Sequence, residues 1–381
     1  MTDHTHDETF PASSVRDWCL ANDARYVPLL PARPGKTYAP YYLSGVGFGS
    51  ATDYLLPEAY MAEIPNATVV GGQGIVMVDG VALFDPVFQA NAERYLFANL
   101  TMPVVSTDAI EVVTFRPDPE EVIPKGILLQ SWFANNYHHW LVEHLSKLLL
   151  VELSGIPSNV PILVDDRVMA VDQLPEALAV ATSRQVIGLH VNTEYRVEHL
   201  YLPSNLFGTG PNLQLGMSVE VGDVTVARDG IEFLRRKFAG KQEGSRLLYI
   251  DRRAMQAPIR LRNTDEVAEV FRSFGFDVIR PGDLTFAEQQ ALFSGAAVIA
   301  GESGAALTNM LLAPETTVMI CLQARPFPLN IYSDLCAYGG QRSRFLVGDV
   351  DVMDPSVPSY QATFTYDPGK LEADLTGILR A

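Results

Sequence analysis

The chain has 381 residues, 48% of them apolar and 19% charged, with a formal net charge of −17. That balance excludes a disordered chain, and its sign excludes general affinity for nucleic acid or anionic lipid while leaving a local anion site open. At roughly 100–200 residues per domain, the length fits two or three domains.

Cys19, Cys321 and Cys336 form an odd, sparse set without CxxC spacing. This argues against a disulfide framework or a zinc site and fits a reduced cytoplasm. Residues 1–9 are polar and acidic, with neither a basic n-region nor an apolar h-region, so no signal peptide is expected. The weakly charged stretch 294–322 is interrupted by Glu302, Pro314 and Glu315. It reads as buried strand, loop, helix and strand rather than a membrane span. Peripheral membrane contact and the oligomeric state are left open.

In chain order, residues 1–118 are rich in Pro, Gly, Tyr and short apolar runs. Residues 67–70, 74–78 and 81–84 read as strands turned by Gly71-Gly72 and Asp79-Gly80, which makes this a β-rich segment. An α/β alternation begins near Pro124. It runs through a strand at 126–130, a strongly periodic helix at 137–153 and a strand at 161–164. A helix at 174–183, strands at 186–189 and 197–202, and a helix at 219–238 follow. Trp140, Leu141, Leu145, Leu148 and Leu149 mark the apolar side of the first helix. A second alternation follows the polar linker 240–244. It comprises a strand at 246–250, a helix at 264–274 stopped by Gly275, and a strand at 276–279. Next come a helix at 285–294 opened by a Thr285/Glu288 capping box, a strand at 297–300, a loop at 301–304, a helix at 305–312 and a strand at 317–322. Repeats of this length build a parallel sheet. Residues 369–380 read as a terminal helix.

Three places carry residues suited to chemistry. The loop Gly301-Glu302-Ser303-Gly304-Ala305 leaves a buried strand and enters a helix. Small residues and free helix N–H groups there suit a diphosphate, although a plain tight turn would look the same. Arg246, Arg252, Arg253, Arg260 and Arg262 reverse the sign of the chain locally. Arg252 and Arg253 directly follow a strand, where ligands of open α/β sheets bind and guanidinium forks meet phosphate oxygens. A solvated loop paired with surface carboxylates is the bland alternative. Finally, Asn136-Tyr137-His138-His139-Trp140 opens a helix that reaches Glu143 and His144. His139 and Glu143, four apart, share a face and supply an imidazole and a carboxylate for proton abstraction. Asn136 also reads as a simple helix cap, and the histidines lack the H-E-x-x-H spacing of a metal site.

These same residues resemble a known family. Asn136-Tyr137-His138-His139-Trp140-Leu141-Val142-Glu143 resembles the N-Y-x-H-W-x-x-E segment of glycosyltransferase family 61. Tyr249-Ile250-Asp251-Arg252-Arg253 resembles its Y-I-S-R-R strand end, and 263–279 its N-E-x-E helix-and-strand run. Leu284-Thr285-Phe286-x-Glu288-Gln289 is similar to its L-S-F-x-E-Q helix start. Gly301-x-x-Gly304-Ala305-x-Leu307-Thr308-Asn309 is similar to its G-x-H-G-A-x-L-T-N loop. The five segments come in the family's order across about residues 126–322.

The resemblance implies an inverting hexosyl- or pentosyltransferase of the GT-B type. Such an enzyme has two Rossmann-like domains facing a cleft, here 119–240 on the acceptor side and 241–345 on the nucleotide-sugar side. They stand behind the β-rich segment 1–118 and before a tail at 346–381. It implies a nucleotide-sugar donor, UDP-linked by expectation, a glycan or other hydroxyl acceptor, no cofactor and no metal. Many bacterial relatives are associated with capsular or other surface polysaccharide biosynthesis. The donor phosphates are then expected at Arg252, Arg253, Gly301, Glu302, Ser303, Gly304, Ala305 and Asn309. The acceptor is expected near Asn136 and His138, with His139 or Glu143 as base and His139 preferred. Ser303 stands where many members carry His, Asp251 where Ser is usual, and His138 where an aromatic is common. Two rival readings are a polysaccharide pyruvyl-type transferase on a similar fold and a catalytically degenerate nucleotide-sugar-binding or scaffolding protein.

Overall fold

The computed structural model describes residues 8–43, 50–72, 76–84, 111–114, 121–130, 133–209, 224–240, 244–254, 260–324, 330–350 and 362–380. The chain divides into two compact units, Met1–Gly35 with Tyr54–Gln214 and Lys36–Asp53 with Leu215–Ala381. Among the described residues no helix is long and apolar enough to cross a membrane. The three cysteines are buried as free thiols.

Among its described residues the first unit holds a ten-stranded mixed sheet. Its parallel part runs Val186–Leu189, Ile162–Asp165, Glu121–Leu128, Glu194–Pro203. The last of these pairs antiparallel with the long strand Ala59–Val70. That strand in turn carries the antiparallel Val76–Val78 and Val81–Phe84, and on its length Arg25–Leu30. Strands Arg25–Leu30, Ala59–Val70, Val76–Val78 and Val81–Phe84 are therefore hydrogen-bonded into the same sheet as the α/β strands that follow. Turn chemistry matches the residues. Asp79 and Gly80 both adopt positive φ (48° and 76°), the backbone a two-residue hairpin needs. Gly74 and Ile75 of the expected strand at 74–78 lie outside the described residues. The core is built by alternating inward residues such as Ile64, Val69, Val197 and Leu200, with Trp18 and Tyr60 beside them.

The helix expected at 137–153 is present over Tyr137–Ser154, but its winding changes along its length. After one α-turn, Trp140–His144 is wound wider, so that the Leu145 N–H reaches the Trp140 carbonyl five residues back. A tighter turn and a regular α-helix complete it. Wide turns of this kind collect at functional sites, because they re-aim side chains. Gly155 in the left-handed region (φ 68°) ends the helix.

The second unit holds a five-stranded parallel sheet in the order Asp277–Ile279, Arg246–Ile250, Ala296–Glu302, Val318–Gln323, Arg342–Val347. Numbered along the chain, these strands lie 2-1-3-4-5. Helices Thr264–Ser273, Phe286–Phe293 and Ile331–Tyr338 connect them, together with the tight helix Ala305–Leu312. The Thr285/Glu288 capping box is made in both directions, and Gly275 (φ 85°) stops the helix before it. Tyr249, Phe271, Ile320, Phe364 and Leu375 belong to one core cluster. The early segment of this unit is tied on by backbone contacts: Phe345 donates its N–H to the Tyr41 carbonyl at 2.9 Å, and the Tyr338 hydroxyl donates to the Lys36 carbonyl at 2.7 Å.

The expected helix at 219–238 is corrected at its start. The helix is Arg228–Phe238, Val224–Val226 is a strand, and residues 219–223 lie outside the described residues. Val224 and Val226 are buried while Thr225 is less so, an alternation that belongs to a strand. Helix Ile331–Tyr338 and strand Arg342–Val347 follow, beyond the elements expected from the sequence.

Candidate functional site

In a doubly wound sheet the crevice opens between the strands where the order reverses, outside their carboxyl ends. In the second unit the reversal falls between strands Arg246–Ile250 and Ala296–Glu302. The basic turn Arg252–Ala254 follows the first strand, and Ser303-Gly304 follows the second. Two of the three places singled out in the sequence thus meet at one switch point.

Their contact is direct. Arg252, only 6% exposed, donates from Nη1 to the Ser303 carbonyl at 3.0 Å. Arg260 donates to the same oxygen at 3.4 Å. Glu302 is buried beneath them, with Oε2 3.9 Å from Arg252 Nη1 and accepting the Leu261 N–H at 3.3 Å. Burial pushes the Glu302 carboxyl up, against the pull of Arg252, Arg260 and the backbone donors. Gly304 is needed for space: a Cβ there would stand 2.9 Å from Arg252 Cζ. Burial raises the Tyr332 phenol, which feels both arginines and a hydrogen bond from the Gly304 backbone, so it borders the same place.

The remaining residues expected here divide. Gly301 lies within the strand, against Ile250 and Leu307. The Ser303 N–H bonds the Leu322 carbonyl, and Ala305 begins the next helix. Arg253 is held by carboxylates: it is bidentate on Asp251 at 2.9–3.1 Å and also paired with Asp265. Burial alone would raise Asp251, but Arg253, with Arg280, holds its carboxyl below the usual range. Asn309 is fully buried and donates its amide to Gln289 Oε1 at 3.1 Å; Gln289 in turn donates to the Pro281 and Leu284 carbonyls. Its visible work is to fasten helix Phe286–Phe293.

The first unit presents the other group. Asn136 caps the helix, its Oδ1 accepting from the N–H groups of His138 and His139. His139 and Glu143 are bonded, Nδ1 to Oε1, at 2.7 Å. Both are largely enclosed, with side chains 22% and 12% exposed. Burial works against charge on His139, but the charge and hydrogen bond of Glu143 prevail and raise its pKa. His138 points inward instead, edge-on to Phe207, and burial drives it down to about 3, as it does His144. Both stay neutral near pH 7. Phe133, 40% exposed, stacks on the His139 ring at 5.0 Å.

Arg260, named in the sequence only as part of the basic cluster, joins Arg252 on the Ser303 carbonyl, and Phe133 is a neighbour of His139 that the sequence did not single out. Arg260 stood in the basic cluster without distinction from its neighbours, and Phe133 lay in a loop with no periodic signal. Among the described residues no three His, Cys, Asp or Glu side chains group as a metal site.

Among known proteins, the family model described as Glycosyltransferase 61 matches residues 137–320, which span His139, Glu143, Arg252, Arg260 and the 301–305 turn. No curated protein matches the chain.

Proposed function

We propose, from the premise that its residues 137–320 place the chain in glycosyltransferase family 61, that the protein transfers a sugar from a nucleotide-sugar donor to a hydroxyl acceptor with inversion. The observation that carries this reading is the meeting of Arg252, Arg260 and Gly304 at the switch point of the second unit. The donor, UDP-linked in this proposal, sets its diphosphate there. Guanidinium forks and backbone N–H groups stabilise the negative charge that grows on the leaving diphosphate. No metal is invoked for that role.

The acceptor hydroxyl is deprotonated by His139. Its Nδ1 is engaged by Glu143, so Nε2 is the basic atom, and the carboxylate stabilises the imidazolium that forms. The oxygen then attacks the anomeric carbon in line, the bond to the diphosphate breaks, and configuration inverts. Phe133, stacked on His139 and exposed, offers an apolar face to a sugar ring. The GT-B arrangement and a place in surface polysaccharide biosynthesis belong to this proposal.

The test is a thermal-shift screen against UDP, GDP, CMP, their sugar conjugates and phosphoenolpyruvate, with and without magnesium. A ligand that binds only the folded state raises the midpoint. A shift with UDP or a UDP-sugar, equal without metal and lost in Arg252→Ala, is expected. Silence toward every nucleotide would remove the switch point as a donor site, and a shift with phosphoenolpyruvate alone would favour the pyruvyl-type rival.

A further inference from the structure

The second unit carries a cavity apart from the switch point. Its volume is about 760 Å³, within the roughly 300–1,000 Å³ common for small-molecule sites. One wall is a face of helix Arg228–Phe238. Arg228, Glu232 and Arg235 recur at spacings of four and three and so align, with Arg236 beside them. The opposite wall is formed by residues 314–316 and 337–340. Those two segments precede strands Val318–Gln323 and Arg342–Val347, so the cavity lies at the amino edge of the parallel sheet. Arg252 and Gly304 lie at the carboxyl edge.

The charges lining it are not evenly matched. Arg228 is satisfied by Glu232, Nε to Oε1 at 2.7 Å. Arg235 is partly buried, and its bonds go to the carbonyls of Ala313 at 3.0 Å and Met310 at 3.4 Å. Among the described residues no carboxylate comes within ion-pair distance of Arg235 or Arg236. Burial lowers the Arg235 pKa, with Glu315 and Cys336 opposing it. Arg236 is exposed, its guanidinium 5.8 Å above the Phe233 ring. Capping carbonyls and complementing a helix C-terminus explain part of the placing of Arg235. They leave its charge without a counterion beside an open cavity, and they do not explain Arg236. A partly desolvated cation gains most from an anion that brings its charge into contact.

We propose that this cavity binds a small phosphorylated sugar, its phosphate on Arg235 and Arg236 and its hydroxyls on Glu232 and Glu315. A bare polyanion would be repelled by the two carboxylates, and a neutral sugar would leave the guanidiniums unanswered. A molecule with one anionic end and several hydroxyls answers both.

The test is calorimetric titration of the full chain with glucose 1-phosphate, with glucose as the neutral control. Saturable binding is expected, weaker by about tenfold in Arg236→Gln, the scale of one charge-assisted contact. Arg235→Gln should weaken it similarly. Because Arg235 also holds carbonyls, the exposed Arg236→Gln keeps the test decisive should that variant fail to fold. Binding should be unchanged in Arg252→Ala, which reports on the other edge of the sheet. Absent binding, binding equal in Arg236→Gln, equal affinity for glucose, or loss only in Arg252→Ala would each overturn the proposal.

Discussion

His139 does its proposed work only when neutral, and Glu143 raises its pKa above the ordinary 6.5. The sign follows: the rate is full above that raised pKa and falls as pH drops through it, giving an acid limb above pH 6.5. Glu143→Gln removes the anion, so the limb should move to lower pH while kcat falls. His139→Ala should cost roughly 10²–10⁴-fold in kcat with the fold intact. A pH–rate profile of the three proteins checks both. At the other site, Gly304→Ala forces a Cβ to within 2.9 Å of Arg252 Cζ. The guanidinium must yield, and nucleoside diphosphate affinity should fall by about tenfold, the worth of one charge-assisted bond. Arg253→Ala should weaken that affinity much less than Arg252→Ala, because Arg253 is already committed to Asp251 and Asp265. Isothermal titration with UDP ranks the three variants.

At the scale of elements, helix Phe286–Phe293 was legible from end to end because its signal is local: Thr285 and Glu288 sit three apart and cap each other. Thr285→Ala should cost about 1 kcal/mol of stability in urea. Asn309→Ala should cost about 1 kcal/mol, since it removes a hydrogen bond to the buried Gln289 carbonyl. Denaturant midpoints at constant m-value measure both. What the sequence hid was non-local. Val224–Val226 runs on into the amphipathic pattern of the next helix, and its alternating burial is what sets it apart as a strand. The wide turn at Trp140–His144 leaves apolar spacing almost unchanged, so periodicity does not report it. Five nearby arginines announced a basic place. Which of them turns inward was decided by the Ser303 carbonyl, 51 residues away from Arg252, while Asp251 and Asp265 captured Arg253. The likeness in motifs found the elements around the switch point, yet not the division of labour among their side chains.

At the scale of the molecule, the early segment of the second unit is held by Asp334, whose carboxyl accepts the Tyr38 N–H. Burial pushes Asp334 up to about 8 from 3.8. The folded state therefore holds a proton that the unfolded chain releases. Its contribution is full below pH 3.8 and is lost as pH rises toward 8. Asp334→Asn, which keeps the acceptor without the charge, should remove that slope and be the more stable protein at pH 8. Urea unfolding at pH 5 and pH 8 tests the difference.

The central claim joins two chemistries, a diphosphate site at Arg252 and Gly304 and a base at His139. The measurement that addresses both is release of free nucleoside diphosphate from a panel of nucleotide sugars, with and without an acceptor mixture, in wild type, Arg252→Ala and His139→Ala. The account predicts acceptor-stimulated release from one donor class. Arg252→Ala should lose donor binding, and His139→Ala should keep donor binding while losing turnover. Release at wild-type rate in both variants, or donor binding that survives Arg252→Ala unchanged, would contradict it.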